Sequence, residues 1–231
     1  MATVQEAIAS AQNVASGKSI NPAFPVCRNA ALIVVQLLFA KAQNTTVKSR
    51  KKEVKSSCLH FRLLTLCYRI RDFFRPRSLI LKETGIKAGD RVLDFGCGPG
   101  SYIVPLSKLV GPEGKIYALD INPLAIKMVR QIANRNQLEN VIAIHSDSVT
   151  GFPDNYFDVI LLYDVFHHLE RPDAVLKDLH RLLKPEGILS FSDHHLKEAQ
   201  FLPVITRHNL FELYKKGRYT YSFKKLGVPS A

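Results

Sequence analysis

The sequence predicts an α/β fold, a doubly wound and mostly parallel seven-stranded sheet that has helices on both faces and a C-terminal antiparallel hairpin. From residue 91 onward, short runs rich in Val, Ile and Leu alternate with segments of helical periodicity, which is typical of β-α units. A glycine-rich turn joins the first of these strands to its helix. The last two strand-like runs are too close in sequence for a crossover helix, so they must pair antiparallel.

The elements before the first strand are predicted to be helical. Leu, Ile and Phe side chains recur at helical spacing over 59–74 with arginines between them, and Pro76 ends that helix. A second, shorter helix is predicted over 78–84, because Gly85 follows it. Both helices would precede the sheet.

Boundary signals punctuate the alternating region. Gly111 and Pro112 close the helix after strand one, while Asn122 and Pro123 supply the cap and first residue of the next helix. Strand four is rich in Val, Ile and Leu, as a strand buried on both faces should be. The predicted strands are 91–95, 115–120, 141–145, 156–163 and 187–192, the helices 101–110, 123–136, 172–183 and 196–208, and the hairpin strands 210–214 and 219–224.

The net charge of +12 on 231 residues is concentrated outside the alternating region. Residues 48–77 carry ten basic and two acidic side chains, and residues 207–231 carry six and one. Residues 78–206 carry thirteen basic and sixteen acidic side chains and are therefore mildly acidic. This distribution argues against a core that lies along a nucleic-acid backbone, and it leaves an electrostatic role open for the two flanks.

The chain divides into an N-terminal extension, 1–57, whose structure the sequence does not indicate, and a domain over 58–231. The apolar run 30–40 falls short of the roughly 18 residues that a membrane span needs. A basic cluster follows this run instead of preceding it, which disfavours a secretory signal. The four cysteines show no C-x-x-C spacing, so we expect a reduced, cytoplasmic protein without a disulfide framework.

The turn after strand one carries the chemistry that points to a ligand. Its three glycines, Gly96, Gly98 and Gly100, let the backbone turn tightly and approach a bound molecule closely. Their spacing is G-x-G-x-G and differs from the G-x-G-x-x-G of dinucleotide-binding proteins. Asp94 precedes the turn by two residues, and a carboxylate at this place would repel a pyrophosphate and attract an ammonium group.

The combination D-x-G-x-G-x-G resembles the first motif of class I S-adenosylmethionine (SAM)-dependent methyltransferases. The resemblance covers about residues 60–225, and the predicted β-α units with their terminal hairpin also match the Rossmann-like fold of that family. The small-molecule branch typified by ubiquinone/menaquinone-biosynthesis methyltransferases is the most similar. The resemblance implies SAM as the cofactor, bound at the first motif by Asp94, Gly96, Cys97, Gly98, Gly100 and Tyr102.

Asp120 and Ile121, at the end of strand two, are the next candidates for SAM binding. Asp120 follows Asp94 by 26 residues, near the offset at which an acidic residue meets ribose hydroxyls in nucleotide-binding β-α-β units. A carboxylate can accept from both hydroxyls at once. Ile121 would then pack on the adenine face. The alternative for Asp120 is capping of the following helix.

The ends of strands three and four supply the remaining candidates. Asp147 and Ser148 match the family position at which an acidic residue accepts from the adenine amino group and a neighbouring N–H meets a ring nitrogen; an Asx turn is the alternative. The resemblance also implies that Tyr163 closes over the methionine part of SAM. His167 and His168 follow it, and we expect one or both to act as a general base, unless they only orient the loop.

A second histidine pair, His194 and His195, follows strand five beside Asp193. Together with His167 and His168, these side chains could form a metal site. Adjacent histidines on an extended segment point to opposite faces, however, and this geometry weakens chelation. We therefore predict no metal.

The predicted function is methyl transfer from SAM to a small-molecule acceptor by in-line displacement. A membrane-associated quinone or lipid acceptor is an alternative, because 48–77 combines basic residues with an apolar helical face that suits a peripheral membrane contact. RNA is disfavoured, because 163–166 lack the N/D-P-P-Y/F tetrapeptide of enzymes that methylate base amines. A non-catalytic SAM-binding accessory protein is a further alternative, and the oligomeric state stays open.

Overall fold

The computed structural model describes residues 77–149 and 151–227. The extension 1–57, the helix predicted over 59–74 and all of the basic segment 48–77 except Arg77 lie outside the described residues. Within the two described ranges, no helix combines the length and the apolar character that crossing a membrane requires.

A seven-stranded sheet with helices on both faces forms the described part of the chain. Its strands are β1 Arg91–Phe95, β2 Lys115–Asp120, β3 Val141–His145, β4 Phe157–Tyr163, β5 Leu183–Ser192, β6 Phe211–Lys216 and β7 Tyr221–Lys225. Its helices are α1 Arg77–Leu81, α2 Ile103–Val110, α3 Pro123–Arg135, α4 Pro172–Leu182 and α5 Glu198–Thr206, with a 3-10 turn at Phe166–His168. The strand order is β3-β2-β1-β4-β5-β7-β6, and β7 alone runs in the direction opposite to the other six strands. The predicted fold class and terminal hairpin are confirmed.

The element bounds differ from the prediction where tertiary pairing decides them. Strand β5 begins at Leu183 instead of residue 187, because Leu183 pairs with Phe157 directly after α4 ends. The hairpin strand β6 runs on to Lys216, which moves the turn to 217–220. The cap of α3 is as predicted, since the Asn122 side chain accepts a hydrogen bond from the N–H of Leu124.

Two apolar layers cover the sheet. Helices α1, α2 and α3 pack on one face against side chains such as Val92, while α4 and α5 pack on the other face against side chains such as Leu93. Successive residues of a strand point to opposite faces. Asp94 therefore lies on the α1–α3 side, the side on which Tyr102 and Tyr163 are buried.

The strand order reverses between β1 and β4. The chain leaves β1 toward β2 and β3 on one side and returns to β4 on the other. In open α/β sheets, ligands bind in the crevice at the carboxyl ends of the strands at this switch point. The two segments that border it are in contact, because a Cβ on Gly96 would lie 2.3 Å from Cγ2 of Val165 in the loop after β4.

Candidate active site

Asp94 is a buried carboxylate at the carboxyl end of β1. Its exposure is 2%, and its Oδ2 accepts no hydrogen bond from any residue that the structure describes. Burial, together with the neighbouring carboxylate of Asp120, raises the pKa of Asp94 to about 7. Burying an acceptor without a donor costs free energy. The geometry therefore suits a cationic donor that a ligand brings to Asp94.

The glycine turn closes against β2 and leaves room on its outer side. Gly96 and Cys97 donate their backbone N–H groups to the main chain of β2. Gly98 has φ +52°, and a Cβ there would meet no atom of the described residues within 4 Å, whereas a Cβ on Gly100 would approach an α3 side chain to 3.0 Å. Cys97 is buried, and burial raises the pKa of its thiol, so that it stays protonated. Open space at this turn thus lies at Gly98.

Two buried tyrosines pack together beside the turn. The ring centroids of Tyr102 and Tyr163 lie 5.1 Å apart. Arg77 donates from Nη1 to the hydroxyl of Tyr102 at 3.2 Å, and the hydroxyl of Tyr163 is 2.7 Å from Oγ of Ser190. Burial raises the pKa of Tyr163 well above its ordinary value. The sequence prediction missed Arg77 and Ser190, although a serine inside the apolar run of strand five was a visible signal.

Asp120 ties the glycine turn to the start of α3. Its Oδ2 accepts from the N–H of Gly98 and its Oδ1 from the N–H of Asn122, both at 2.8 Å. Burial raises its pKa, against these two hydrogen bonds. Each oxygen keeps a second lone pair, so this structural role leaves acceptor capacity for the predicted ribose contact. Ile121 beside it is 69% exposed, an unusual position for an isoleucine.

The loop after β3 is a serine-based turn. The Ser146 hydroxyl accepts from the N–H of Ser148 at 3.1 Å and lies 2.9 Å from the carbonyl oxygen of Ser148. Asp147 between them is exposed. The N–H of Ser148 is therefore engaged within the turn, and a contact from it to adenine would have to replace that bond. The adenine role of Asp147 and Ser148 stays a prediction.

His167 is held by a buried carboxylate. Its Nδ1 lies 2.8 Å from Oδ2 and 3.0 Å from Oδ1 of Asp193, and its backbone N–H donates to Oδ2 at 3.1 Å. The Asp193 side chain has no exposed surface. Burial alone would raise the pKa of Asp193, but hydrogen bonds from the His167 ring and the His195 backbone hold it below its ordinary value. The opposite ring atom, Nε2 of His167, is buried and has no partner among the described residues.

Four imidazoles lie in a row across the ends of β4 and β5. Ring centroids are 3.9 Å apart for His168 and His167, 4.2 Å for His167 and His195, and 3.9 Å for His195 and His194. His194 Nδ1 is 2.6 Å from Oδ1 of Asp164. Burial and then the neighbouring imidazoles lower the pKa values of His168 and His195, which favours their neutral forms. Within residues 77–149 and 151–227, no three His, Cys, Asp or Glu side chains are arranged to hold a metal ion.

The structure brings most of the predicted residues into two groups at the carboxyl ends of the strands. Asp94, the glycine turn and Asp120 surround the ends of β1 and β2, and the histidines lie at the ends of β4 and β5. The sequence prediction grouped Asp193 with the histidines only as a metal ligand, and it missed Asp164. The structure pairs Asp193 with His167 and Asp164 with His194, and the sequence did not predict either pair.

Known proteins are similar to part of this chain in sequence. Residues 86–225 match the family model for a methyltransferase domain. A demethylmenaquinone methyltransferase of Geobacillus stearothermophilus is 31% identical over 130 residues, 56% of this chain and 56% of the relative. The ubiquinone/menaquinone biosynthesis C-methyltransferase UbiE of Pseudomonas putida is 34% identical over 121 residues, 50% of this chain and 47% of that protein. The chain thus spans about half the length of the curated relatives it matches.

Solved structures agree with these relatives. The crystal structure of a SAM-dependent methyltransferase from Aquifex aeolicus matches with a TM-score of 0.58 and 28% identity, covering 66% of this chain and 90% of that one. A SAM-dependent O-methyltransferase from Thermotoga maritima shares the fold, with a TM-score of 0.55, 20% identity and coverage of 68% and 67%. The family match, the glycine turn after β1 and the strand order all agree. The chain belongs to the class I SAM-dependent methyltransferases.

Proposed function

We propose that this protein transfers the methyl group of SAM to a small aromatic acceptor that carries a hydroxyl group, of the quinol type. The observation that carries the proposal is the buried Oδ2 of Asp94, which has no partner among the described residues and lies beside a glycine turn at the switch point of the sheet. The acceptor class is supported by the names of the relatives, a demethylmenaquinone methyltransferase and a ubiquinone/menaquinone biosynthesis C-methyltransferase.

The residues around the turn fit the parts of SAM. Asp94 would receive the ammonium group of the methionine tail, since a buried carboxylate gains most from a cationic donor. The space beside Gly98 would let the ligand approach the backbone closely. The Asp120 lone pairs that bind no backbone N–H would accept hydrogen bonds from the ribose hydroxyls. The exposed side chain of Ile121 would be covered by the adenine ring.

The contacts predicted for Tyr102 and Tyr163 with SAM would be weaker than these polar contacts. Tyr163 would offer its ring and not its hydroxyl, because the hydroxyl is engaged with Ser190. Tyr102 packs against it and would contribute in the same way.

Bound SAM supplies a methyl group on a positively charged sulfur, which is a good leaving group. The chain therefore has to align the acceptor, exclude water and accept a proton.

We propose that the reaction takes place in the cytoplasm, because the four cysteines show no C-x-x-C spacing and we expect them to be reduced. The membrane contact predicted for 48–77 is a separate proposal, and Arg77 takes no part in it because this residue is buried against Tyr102. A quinol acceptor that partitions into lipid would make such a contact useful.

The test is methyl transfer by the full-length protein. Purified protein is incubated with methyl-labelled SAM and a reduced short-chain demethylmenaquinol, and we expect label in the organic phase. The oxidised quinone is the control, since it lacks an ionisable hydroxyl group. Calorimetry with SAM and with S-adenosylhomocysteine runs in parallel. If the protein binds neither SAM nor S-adenosylhomocysteine, the assignment of the cofactor site is overturned. If it binds them but transfers no methyl group, only the acceptor class is overturned.

A further inference from the structure

The geometry distinguishes His167 from the other three imidazoles of the row. It alone has its Nδ1 against a carboxylate without exposed surface, that of Asp193, among the residues described. Its own side chain is 14% exposed, compared with 41% for His194. The Nε2 atom of His167 is buried without a hydrogen-bond partner in this part of the chain. A buried ring nitrogen of this kind is available to a hydrogen-bonding group that a ligand brings.

The tautomer of His167 follows from the chemistry of its neighbour. An ionised carboxylate only accepts hydrogen bonds, and Asp193 stays ionised because hydrogen bonds hold its pKa below the ordinary value against the effect of burial. The proton of a neutral His167 must therefore sit on Nδ1, which faces Asp193. The lone pair is then on Nε2.

The loop that carries His167 borders the SAM-binding turn. Val165, two residues earlier, packs against Gly96, and the N–H of His168 donates to the carbonyl of Val165 in the same 3-10 turn. The 3-10 turn is thus fixed to the glycine turn on one side and to the end of β5 through Asp193 on the other. A base at this place is held by rigid elements, as proton transfer in a transition state requires.

We propose that His167 is the general base toward the acceptor, acting through Nε2, and that Asp193 is a positioning residue that fixes its tautomer. The proposal rests on the proposed function above. Nε2 takes the proton of the acceptor hydroxyl, and the freed electron pair, delocalised onto the adjacent ring carbon, forms the bond to the methyl carbon. The methyl–sulfur bond breaks and its electron pair stays on sulfur. The ring carbon then releases its hydrogen to water as a proton, and the imidazolium returns the first proton to the oxygen.

The charged and titratable groups around Nε2 support this role. His168 and His195 flank the ring, and burial with the neighbouring imidazoles lowers their pKa values, so that they add no positive charge near neutral pH. His194 pairs with Asp164 at the far end of the row. Asp193 is the anion that would stabilise an imidazolium at His167 while the proton is held there.

Nuclear magnetic resonance of ring nitrogens tests the tautomer without any acceptor. The full-length protein, labelled with 15N-histidine and saturated with S-adenosylhomocysteine, is compared with Asp193→Asn, with Asp164→Asn as the matched control and with His167→Gln for assignment. We expect a proton on Nδ1 of His167 in the native protein and in Asp164→Asn, and its loss from that position in Asp193→Asn. A native His167 protonated on Nε2 would overturn the proposal.

Kinetics with the demethylmenaquinol probe test the role of the base. Asp193→Asn should lower kcat about 100-fold or more near neutral pH, with little change in KM for SAM, and this effect should be much larger than that of Asp164→Asn. The defect should shrink at high pH, where the hydroxyl ionises without help. A defect that is independent of pH indicates a purely structural role and contradicts the proposal. Should the native protein bind S-adenosylhomocysteine but methylate no quinol, the acceptor class is wrong, and the tautomer measurement alone decides on the dyad.

Discussion

At the scale of single residues, Asp94 couples ligand binding to pH. Its pKa of about 7, raised by burial and by Asp120, means that the folded chain without ligand holds a proton that the unfolded chain has released near pH 4. The contribution of Asp94 to stability is therefore fully present below about pH 4 and is lost as pH rises through about 7, by on the order of 4 kcal/mol at most. Asp94→Asn removes this titration.

We expect Asp94→Asn to be more stable than the native protein at about pH 8 without ligand, with the difference shrinking toward pH 4. Its affinity for SAM should fall at least about 30-fold, because a buried charge pair loses one partner. Denaturant unfolding at several pH values and calorimetry measure the two effects. A variant that binds SAM as tightly as the native protein would show that Asp94 does not receive the ammonium group.

Ile121 offers a test in which stability and binding separate. Truncation to Ala should leave the unfolding free energy nearly unchanged, because the side chain is 69% exposed, but weaken SAM binding by about 1 kcal/mol through lost apolar contact. Ile142, an exposed isoleucine of β3, is the matched control. Equal binding by both variants in calorimetry would remove adenine from the face of Ile121.

The residues at the strand ends could be predicted from sequence, whereas their partners could not. Asp94 and Asp120 each follow directly from a motif and an offset. The pairing of His167 with Asp193 arises because Tyr163 and Ser192 are register partners in the parallel β4–β5 ladder, which places the two following loops side by side. A ladder register is a tertiary property, and nothing local in either segment encodes it.

At the scale of elements, two glycines of the turn after β1 distinguish the steric cost of an added Cβ from the cost of backbone strain. Gly96→Ala places a Cβ 2.3 Å from Val165, and Gly98→Ala places one in open space, while both positions have positive φ. Gly98→Ala should cost about 1–2 kcal/mol of stability through backbone strain, and Gly96→Ala clearly more.

The unfolding free energies of the two glycine variants decide this prediction, with Gly96→Ala/Val165→Ala as the partner test. The double variant should recover part of the loss, because it removes the clashing side chain. Gly98→Ala should lose more SAM affinity than stability, since its Cβ occupies the space that faces the ligand. Equal stability of Gly96→Ala and Gly98→Ala would contradict the packing of Val165 on the turn.

Glu83 fastens the β6–β7 turn to the segment after α1. Its carboxylate accepts from the N–H groups of Arg218, Tyr219 and Thr220 and from the Thr220 hydroxyl, all at 3.0 Å. Burial opposes this arrangement, but the hydrogen bonds lower the pKa of Glu83. The stabilisation is therefore present above the unfolded pKa of about 4 and is lost as pH falls below it.

Glu83→Gln should cost about 1.5–3 kcal/mol of unfolding free energy near neutral pH, because the amide replaces an acceptor of four hydrogen bonds. The cost should disappear under acid conditions. Glu212→Gln, at an exposed position of β6, is the control and should change little. A loss that persists in acid would mean that the charge of Glu83 is not what holds the hairpin.

Element bounds show where local signals suffice. Strands β1, β2 and β3 lie as predicted, because polar or glycine-containing turns delimit short apolar runs. Helix α2 begins at Ile103, two residues after the predicted start, since the glycine turn extends through Tyr102. The early start of β5 at Leu183 depends on its pairing with Phe157 in β4, a contact between distant parts of the chain.

At the scale of the whole molecule, the salt dependence of SAM binding measures the sign of the electrostatic field at the site. The chain carries +12, which would repel the cationic SAM, but the carboxylates of Asp94 and Asp120 lie at the site, and residues 78–206 are net acidic. At 0.1 M salt, charges more than about 10 Å apart are largely screened. We expect the local carboxylates to dominate, so that added salt weakens SAM binding and affects the uncharged-sulfur product S-adenosylhomocysteine less. Calorimetric titrations of both ligands between low and high salt give the two slopes. SAM binding that strengthens with salt would show that the basic flanks, and not the strand-end carboxylates, set the field that the ligand meets.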